Sequence, residues 1–214
     1  MLLDNIQAGK RGFLIGGGSS INGIIKSGFK FKTLEKQEIT VGVNKAYKIL
    51  NPNYLVYQDN YIWDTFSKDL KALPKTTEII CPHYAYGAGD PRVTFFNAVM
   101  GTANLPKTFD TPIGTKNNVG VTALRISYIL GLNPIYLVGI DLRPEDAHPD
   151  KFNFHNDYDR DRQTKVSKEK IALFQKYFLE TIEELKRVDV HVFSCSKVST
   201  LNSHIPYVDI KNII

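Results

Sequence analysis

Residues 12–20 read Gly12-Phe13-Leu14-Ile15-Gly16-Gly17-Gly18-Ser19-Ser20. A short apolar run ends in a glycine turn, and Ile21 to Ile25 continues with helical character. Strand, tight glycine turn and helix together open an α/β unit. Glycines let the backbone approach a ligand closely and offer N–H groups that no side chain obstructs. Ser19 or Ser20 can cap the helix, whose N-terminus favours a phosphate or carboxylate. A plain strand-to-helix turn is the competing reading. The loop lacks the Gly-Lys-Ser/Thr ending of a P-loop. It also lacks the last glycine of Gly-x-Gly-x-x-Gly, because position 21 is Ile21.

Outward from this turn the pattern alternates. Ile39–Val43 reads as a strand followed by Asn44, and Lys45 to Leu50 as a helix broken by Pro52. Tyr54–Tyr57 is a strand ending at Gln58-Asp59, and Tyr61 to Leu70 suits an amphipathic helix. Glu78–Cys81 is a strand stopped by Pro82. Residues 83–115, rich in Gly, Pro and aromatics, read as a lid or insertion with a short helix from Val93 to Met100. Val119 to Leu130 is a helix closed by Gly131, and Pro134 to Asp141 is the clearest strand, apolar enough to be buried on both faces. Residues 142–163 form a long polar loop of the kind that carries function. Thr164 to Arg187 is an amphipathic helix with Ile171, Phe174, Phe178, Ile182 and Leu185 on its apolar face, and Val190 to Ser194 is a late strand. The expected fold is α/β and Rossmann-like: a mainly parallel sheet with helices on both faces, one domain over residues 1–214 with a lid-like insertion.

With 43% apolar and 23% charged residues, the 214-residue chain is expected to be globular rather than disordered. No run approaches the roughly 20 apolar residues that span a bilayer, and Met1 to Asn5 does not read as a signal peptide. Cys81 and Cys195 are too few for a disulfide framework or a zinc site and read as reduced core residues of a soluble, cytoplasmic protein. The net charge of +5 reads first as an ordinary solvated surface, and it also suits a phosphorylated donor or a polyanionic acceptor.

Ligands of parallel sheets bind at the carboxyl ends of the strands. The polar residues there are Gly16, Gly17, Gly18, Ser19, Ser20, Asn44, Gln58, Asp59 and Asp141. Asn44 can read a base or ribose hydroxyl, or cap a helix. Asp59 can bind a ribose, a metal or an acceptor hydroxyl, or cap a helix. Asp141 can orient a donor or catalytic group, or cap a loop. The loop from Glu145 to Asp159 places His148 and His155 among carboxylates, which raise a histidine pKa and suit it to general-base work. That loop could also bind a divalent cation, but its spacing matches no zinc pattern, and no metal site is assigned. His83, His191 and His204 lack such a setting and read as structural or surface residues.

These residues carry a resemblance. The chain is similar to the superfamily joining small bacterial sialyltransferases that use CMP-activated sialic acid with motility accessory factor and archaeal-type 6-hydroxymethylpterin diphosphokinase proteins. Ile15-Gly16-Gly17-Gly18-Ser19-Ser20 stands for its Gly-x-Gly-Pro-Ser loop, and Val43-Asn44 for the strand ending in Cys-Asn. Pro52 to Asp59 stands for its Pro-Asp-x-x-Val-x-x-Asp strand. Asn118-Val119-Gly120-Val121, Leu130-Gly131 and Ile135 to Asp141 stand for its glycine-containing helix, Leu-Gly turn and Ile-x-Leu-x-Gly-x-Asp strand.

The resemblance implies a nucleotide held by Gly16 to Ser20, Asn44, Gln58 and Asp59, with Asn118, Val119 and Gly120 near the donor phosphates. It implies a glycosyltransferase with a nucleotide-sugar donor, CMP-linked in the first instance. His155, or second His148, would serve as base, and Arg143 or Lys116 would steady the leaving phosphate. This sequence departs from the sialyltransferases in three places. Leu142-Arg143-Pro144 stands where they carry tyrosines, Val119 stands for a serine, and His155 precedes the late helix at a different spacing. Two alternatives follow from the same residues. One is a Mg²⁺-dependent diphosphotransferase with Asp59, Asp141 and the acidic loop as ligands. The other is a non-catalytic binding module. The acceptor is left open between glycan, protein and a modified nucleic-acid base, and rim loops packing across a two-fold axis would give a homo-oligomer.

Overall fold

The computed structural model describes residues 3–85, 87, 89–101, 104–143, 153–155 and 167–214. The chain runs β1 (Gly12–Ile15), α1 (Ser20–Lys26), α2 (Phe31–Gln37), β2 (Ile39–Val43), β3 (Tyr54–Val56), α3 (Asn60–Ala72) and β4 (Glu78–Pro82). It continues with β5 (Val93–Phe96), β6 (Ala98–Val99), β7 (Ile113–Gly114), α4 (Val119–Ile129), β8 (Ile135–Val138), α5 (Lys168–Lys186) and β9 (Val192–Ser194). Seven strands form one parallel sheet in the order β5-β4-β3-β2-β1-β8-β9, and β6 pairs with β7 separately.

Both faces of the sheet are buried, as the apolar runs require. Leu14, Val41, Val56, Ile80 and Leu137 face a core shared with α4 and with Phe178, Ile182 and Leu185 of α5. On the opposite face, Phe13 and Ile15 pack with Ile21 of α1 and with Phe31 and Leu34 of α2. Leu55, Tyr57, Ile79 and Cys81 pack there with Ile62 and Leu70 of α3. Alternate residues of each strand thus serve alternate layers, the period-two rule of a pleated sheet.

Two expectations change, and one helix is added. Val93–Met100 is not helical: Val93–Phe96 is edge strand β5, registered Ile79↔Val93 to Pro82↔Phe96. Its β-branched and aromatic residues favour extended backbone. Its entry is fixed by Arg92, which pairs with Asp90 at 2.6 Å and donates to the carbonyls of Leu70 and Leu73 at the end of α3. Asn44–Lys48 is a 3-10 turn rather than the start of an α-helix, and α2 occupies a stretch that carries little helical periodicity.

Helix α4 is buried on nearly every side, between the sheet and α5. It carries a fully buried Arg125 whose guanidinium meets Glu184 of α5 at 2.8 Å. Burial pulls the Arg125 pKa down, and the Glu184 charge opposes that pull. Removing the carboxylate takes from a buried cation its nearest counter-charge and leaves only the weaker pull of Glu180, so Glu184→Ala is expected to cost about 3 kcal/mol in urea unfolding. A loss below about 0.5 kcal/mol, the range of ordinary surface substitutions, would contradict this role. Cys81 and Cys195 are free and buried, and burial raises their pKa values to about 11 and about 12. Thiolate is the reactive form. At pH 8 the folded protein should leave an aromatic disulfide reagent unreacted, and both thiols should label on unfolding.

Candidate active site

From β1 the sheet grows outward to β5, and α4 then carries the chain back to β8 on the other side of β1. The strand order therefore reverses between β1 and β8, and a crevice opens there at the strands' carboxyl ends. It is occupied by a cavity of about 820 Å³. Its wall is made by Gly17 and Gly18 after β1, Asn44 and Lys45 after β2, Gln58 and Asp59 after β3, and Gly139 to Leu142 after β8. The N-terminus of α4 and one side of α5 close it.

Asp141 organises the glycine loop. Its carboxylate, 4% exposed, accepts from the Ser20 amide at 2.8 Å, the Ser20 hydroxyl at 2.5 Å and the Ser196 hydroxyl at 2.6 Å. Gly18 lies so close that an added Cβ would fall 2.5 Å from Asp141 Oδ2. Gly16 donates to Val138 O at 2.7 Å, and its own Cβ would strike the Gly139 carbonyl. The loop in turn holds a distant segment: Phe154 N donates to Gly17 O at 2.9 Å and Gly18 bridges to Asn153. His155 follows directly, edge-on to Phe154, and reaches the cavity wall.

Backbone strain gathers here as well. Asn44, Lys116, Asn117 and Leu142 all have positive φ, between 47° and 52°, and all four line the cavity. Such conformations are costly outside glycine and concentrate at functional sites. Asn44 Oδ1 is buried with no hydrogen-bond partner among the described residues. Gln58 is tied by its amide nitrogen to Thr122 at 2.7 Å. Asp59 holds the N-cap position of α3 without a side-chain cap bond and stays exposed at the cavity wall. Burial and the Asp59 charge together push the Tyr84 phenol pKa upward. Lys116 pairs with Glu180 at 2.6 Å. Asn118 caps α4 by accepting from Gly120 N at 2.9 Å and Val121 N at 3.2 Å.

Of the residues singled out from sequence, Gly17, Gly18, Asn44, Gln58, Asp59 and Asp141 meet on the wall with Lys116, Asn118, Val119, Gly120 and His155. Gly16, Ser19, Ser20 and Arg143 are not among the described lining residues. Ser19 precedes α1 without a side-chain cap bond. His148 lies outside the described residues. Sequence reasoning passed over Lys45, Tyr61, Tyr84, Lys170 and Tyr177, all on the wall, and gave Phe174 only a core role. Lys170, Phe174 and Tyr177 stand three and four apart on α5, a spacing that the core-facing stripe of the same helix obscured.

The glycines differ sharply in what they tolerate. Gly18→Ala drives a methyl group into Asp141 and should cost on the order of 2 kcal/mol by overpacking. Gly23, inside α1, has nothing within 4 Å of its Cβ position, so Gly23→Ala should stabilise by about 0.5–1 kcal/mol. Chemical denaturation of both variants checks the pair. Equal effects would remove the case for a loop moulded on Asp141.

No protein-family model matches the chain, and no curated protein matches it. Solved structures do. The sialyltransferase CstII from Campylobacter jejuni, in complex with the substrate analogue CMP-3FNeuAc, aligns with TM-score 0.56 and 12% identity over 92% of this chain and 86% of its own. The monofunctional alpha-2,3-sialyltransferase Cst-I from Campylobacter jejuni aligns with TM-score 0.56 and 17% identity over 92% and 80%. The MAf glycosyltransferase from Magnetospirillum magneticum AMB-1 aligns with TM-score 0.59 and 16% identity over 92% of this chain but 35% of its own. The chain has the fold of these Campylobacter jejuni sialyltransferases and of the MAf glycosyltransferase.

Proposed function

We propose that this chain transfers a sugar from a nucleotide-activated donor, CMP-linked, to an acceptor hydroxyl. The observation that carries the reading is the cavity at the strand-order reversal, walled by a glycine loop anchored on Asp141 and by the N-terminus of α4. Such a site offers backbone amides and a helix dipole to a phosphate. Support comes from structural neighbours described in complex with CMP or CMP-3FNeuAc, one of them also with a trisaccharide acceptor.

In this reading the nucleotide lies against Gly17, Gly18 and Asn44, whose buried Oδ1 accepts from a ribose hydroxyl or base amine. The donor phosphate faces Asn118 to Gly120. The acceptor oxygen forms a bond to the anomeric carbon as the bond from that carbon to the phosphate oxygen breaks. His155 takes the acceptor proton, and the bonding electron pair leaves with the phosphate as CMP. Charge growing on that oxygen needs a cation, and Lys116 is the better placed candidate, since it lines the cavity where Arg143 does not. Asp141 acts as a positioning residue, with its carboxylate committed to Ser20 and Ser196.

A thermal-shift panel of CMP, UDP, GDP and ATP, each with and without Mg²⁺, tests the donor. At a hundredfold excess over Kd, CMP should stabilise the fold by ~2.7 kcal/mol without metal, a shift of several degrees. A response confined to ATP with Mg²⁺ would replace this reading with diphosphotransfer. His155→Ala should keep CMP binding while lowering transfer roughly 10²–10⁴-fold. Unchanged transfer would remove His155 as the base.

A further inference from the structure

The turn after β8 is unusual. Leu142, a branched L-residue, is held at φ 52° on the cavity wall, directly after the carboxylate that anchors the glycine loop. A conformation of this kind persists only where its surroundings over-determine it. Here the surroundings are a segment some 55 residues later in the chain, just past β9. Ser196 Oγ donates to Asp141 Oδ1 at 2.6 Å, and Ser199 Oγ donates to Ile140 O at 2.7 Å. Thr200 donates twice, from its amide to Asp141 O at 3.0 Å and from its hydroxyl to Leu142 O at 3.0 Å. Asn202 ties the segment together by donating to the carbonyls of Ser196 and Lys197, both at 3.1 Å.

We propose that Ser196, Ser199 and Thr200 form a hydroxyl clasp that sets the shape of the donor cavity from behind. None of the three lines the cavity. They are positioning residues for nucleotide binding, acting through Asp141 and the Ile140–Leu142 turn. The inference rests on the nucleotide-donor reading of the site. Two consequences separate the clasp from general packing. Ser196 donates to the same carboxylate oxygen as the Ser20 hydroxyl, so its loss should loosen the glycine loop across the sheet rather than the C-terminal segment alone. Thr200 acts through its hydroxyl, so serine should replace it where valine, of equal size, should not.

The test is calorimetric titration of CMP into the full chain and its Ser196→Ala, Thr200→Val and Thr200→Ser variants. The clasp predicts a Kd about tenfold higher, ~1.4 kcal/mol, for Ser196→Ala and Thr200→Val, with the active fraction unchanged and Thr200→Ser close to the parent. A merely structural role would lower the active fraction or the Tm and leave Kd alone, and that result overturns the proposal. If the parent itself fails to bind CMP, the donor reading falls. The clasp is then decided without ligand, by hydrogen exchange at the Ser20 amide, which donates to Asp141. Faster exchange in Ser196→Ala upholds it, and unchanged exchange overturns it.

Discussion

A carboxylate buried to 4% exposure, accepting three hydrogen bonds from Ser20 and Ser196, joins the glycine loop, the turn after β8 and the segment after β9. A buried anion is costly unless hydrogen bonds replace its water, and those from N–H and O–H to carboxylate are among the stronger ones a protein makes. The constraint propagates. Because Asp141 must reach the Ser20 amide, no side chain fits at position 18, and the glycine loop acquires its composition. Because the loop is fixed, Gly17 and Gly18 can receive Phe154 and Asn153, and His155 arrives at the wall.

The second constraint is topological. Reversal of strand order between β1 and β8 opens a crevice, and the segments that follow β1, β2, β3 and β8 all line it. Helix α4 points its N-terminus into that crevice, and α5 supplies an aromatic and cationic side through Tyr177, Phe174 and Lys170. Lys45 and Lys170 bring ammonium groups to the wall, Lys116 does so paired with Glu180, Asp59 is an exposed carboxylate there, and the Asp141 carboxylate is taken up by hydroxyl and amide donors.

Much of the sheet was legible in the sequence because its strands are buried on both faces. Tyr54–Val56 and Ile135–Val138 are continuous apolar runs, Ile39–Val43 is broken only by Thr40 and Gly42, and Asn44, Gln58-Asp59 and Gly139 mark their ends. β5 was misread because Val93 to Met100 is short and apolar, and periodicity alone cannot separate strand from helix in such a run. α2 was missed because only Phe31 and Leu34 mark its buried side and its N-cap, Lys30, makes no side-chain cap bond. Strand-end residues such as Asn44 and Asp141 were legible as a set, since parallel topology dictates where they gather. The wall contributed by Lys45, Tyr84 and Tyr177 was not, because nothing local distinguishes a cavity-facing lysine or tyrosine from a solvated one. Nor could local sequence show that Ser196 shares a carboxylate with Ser20, a contact made only by the folded sheet.

The most direct test of the account is a titration of ¹⁵N-labelled protein with CMP, following backbone amides. The account predicts saturable shifts at Gly17, Gly18, Asn44 and Asn118 to Gly120, with the outer face of α5 around Gln175 and Glu183 unchanged. Shifts confined to that outer face, or none at CMP concentrations that saturate nucleotide enzymes, would contradict a nucleotide-binding site at the junction of β1 and β8.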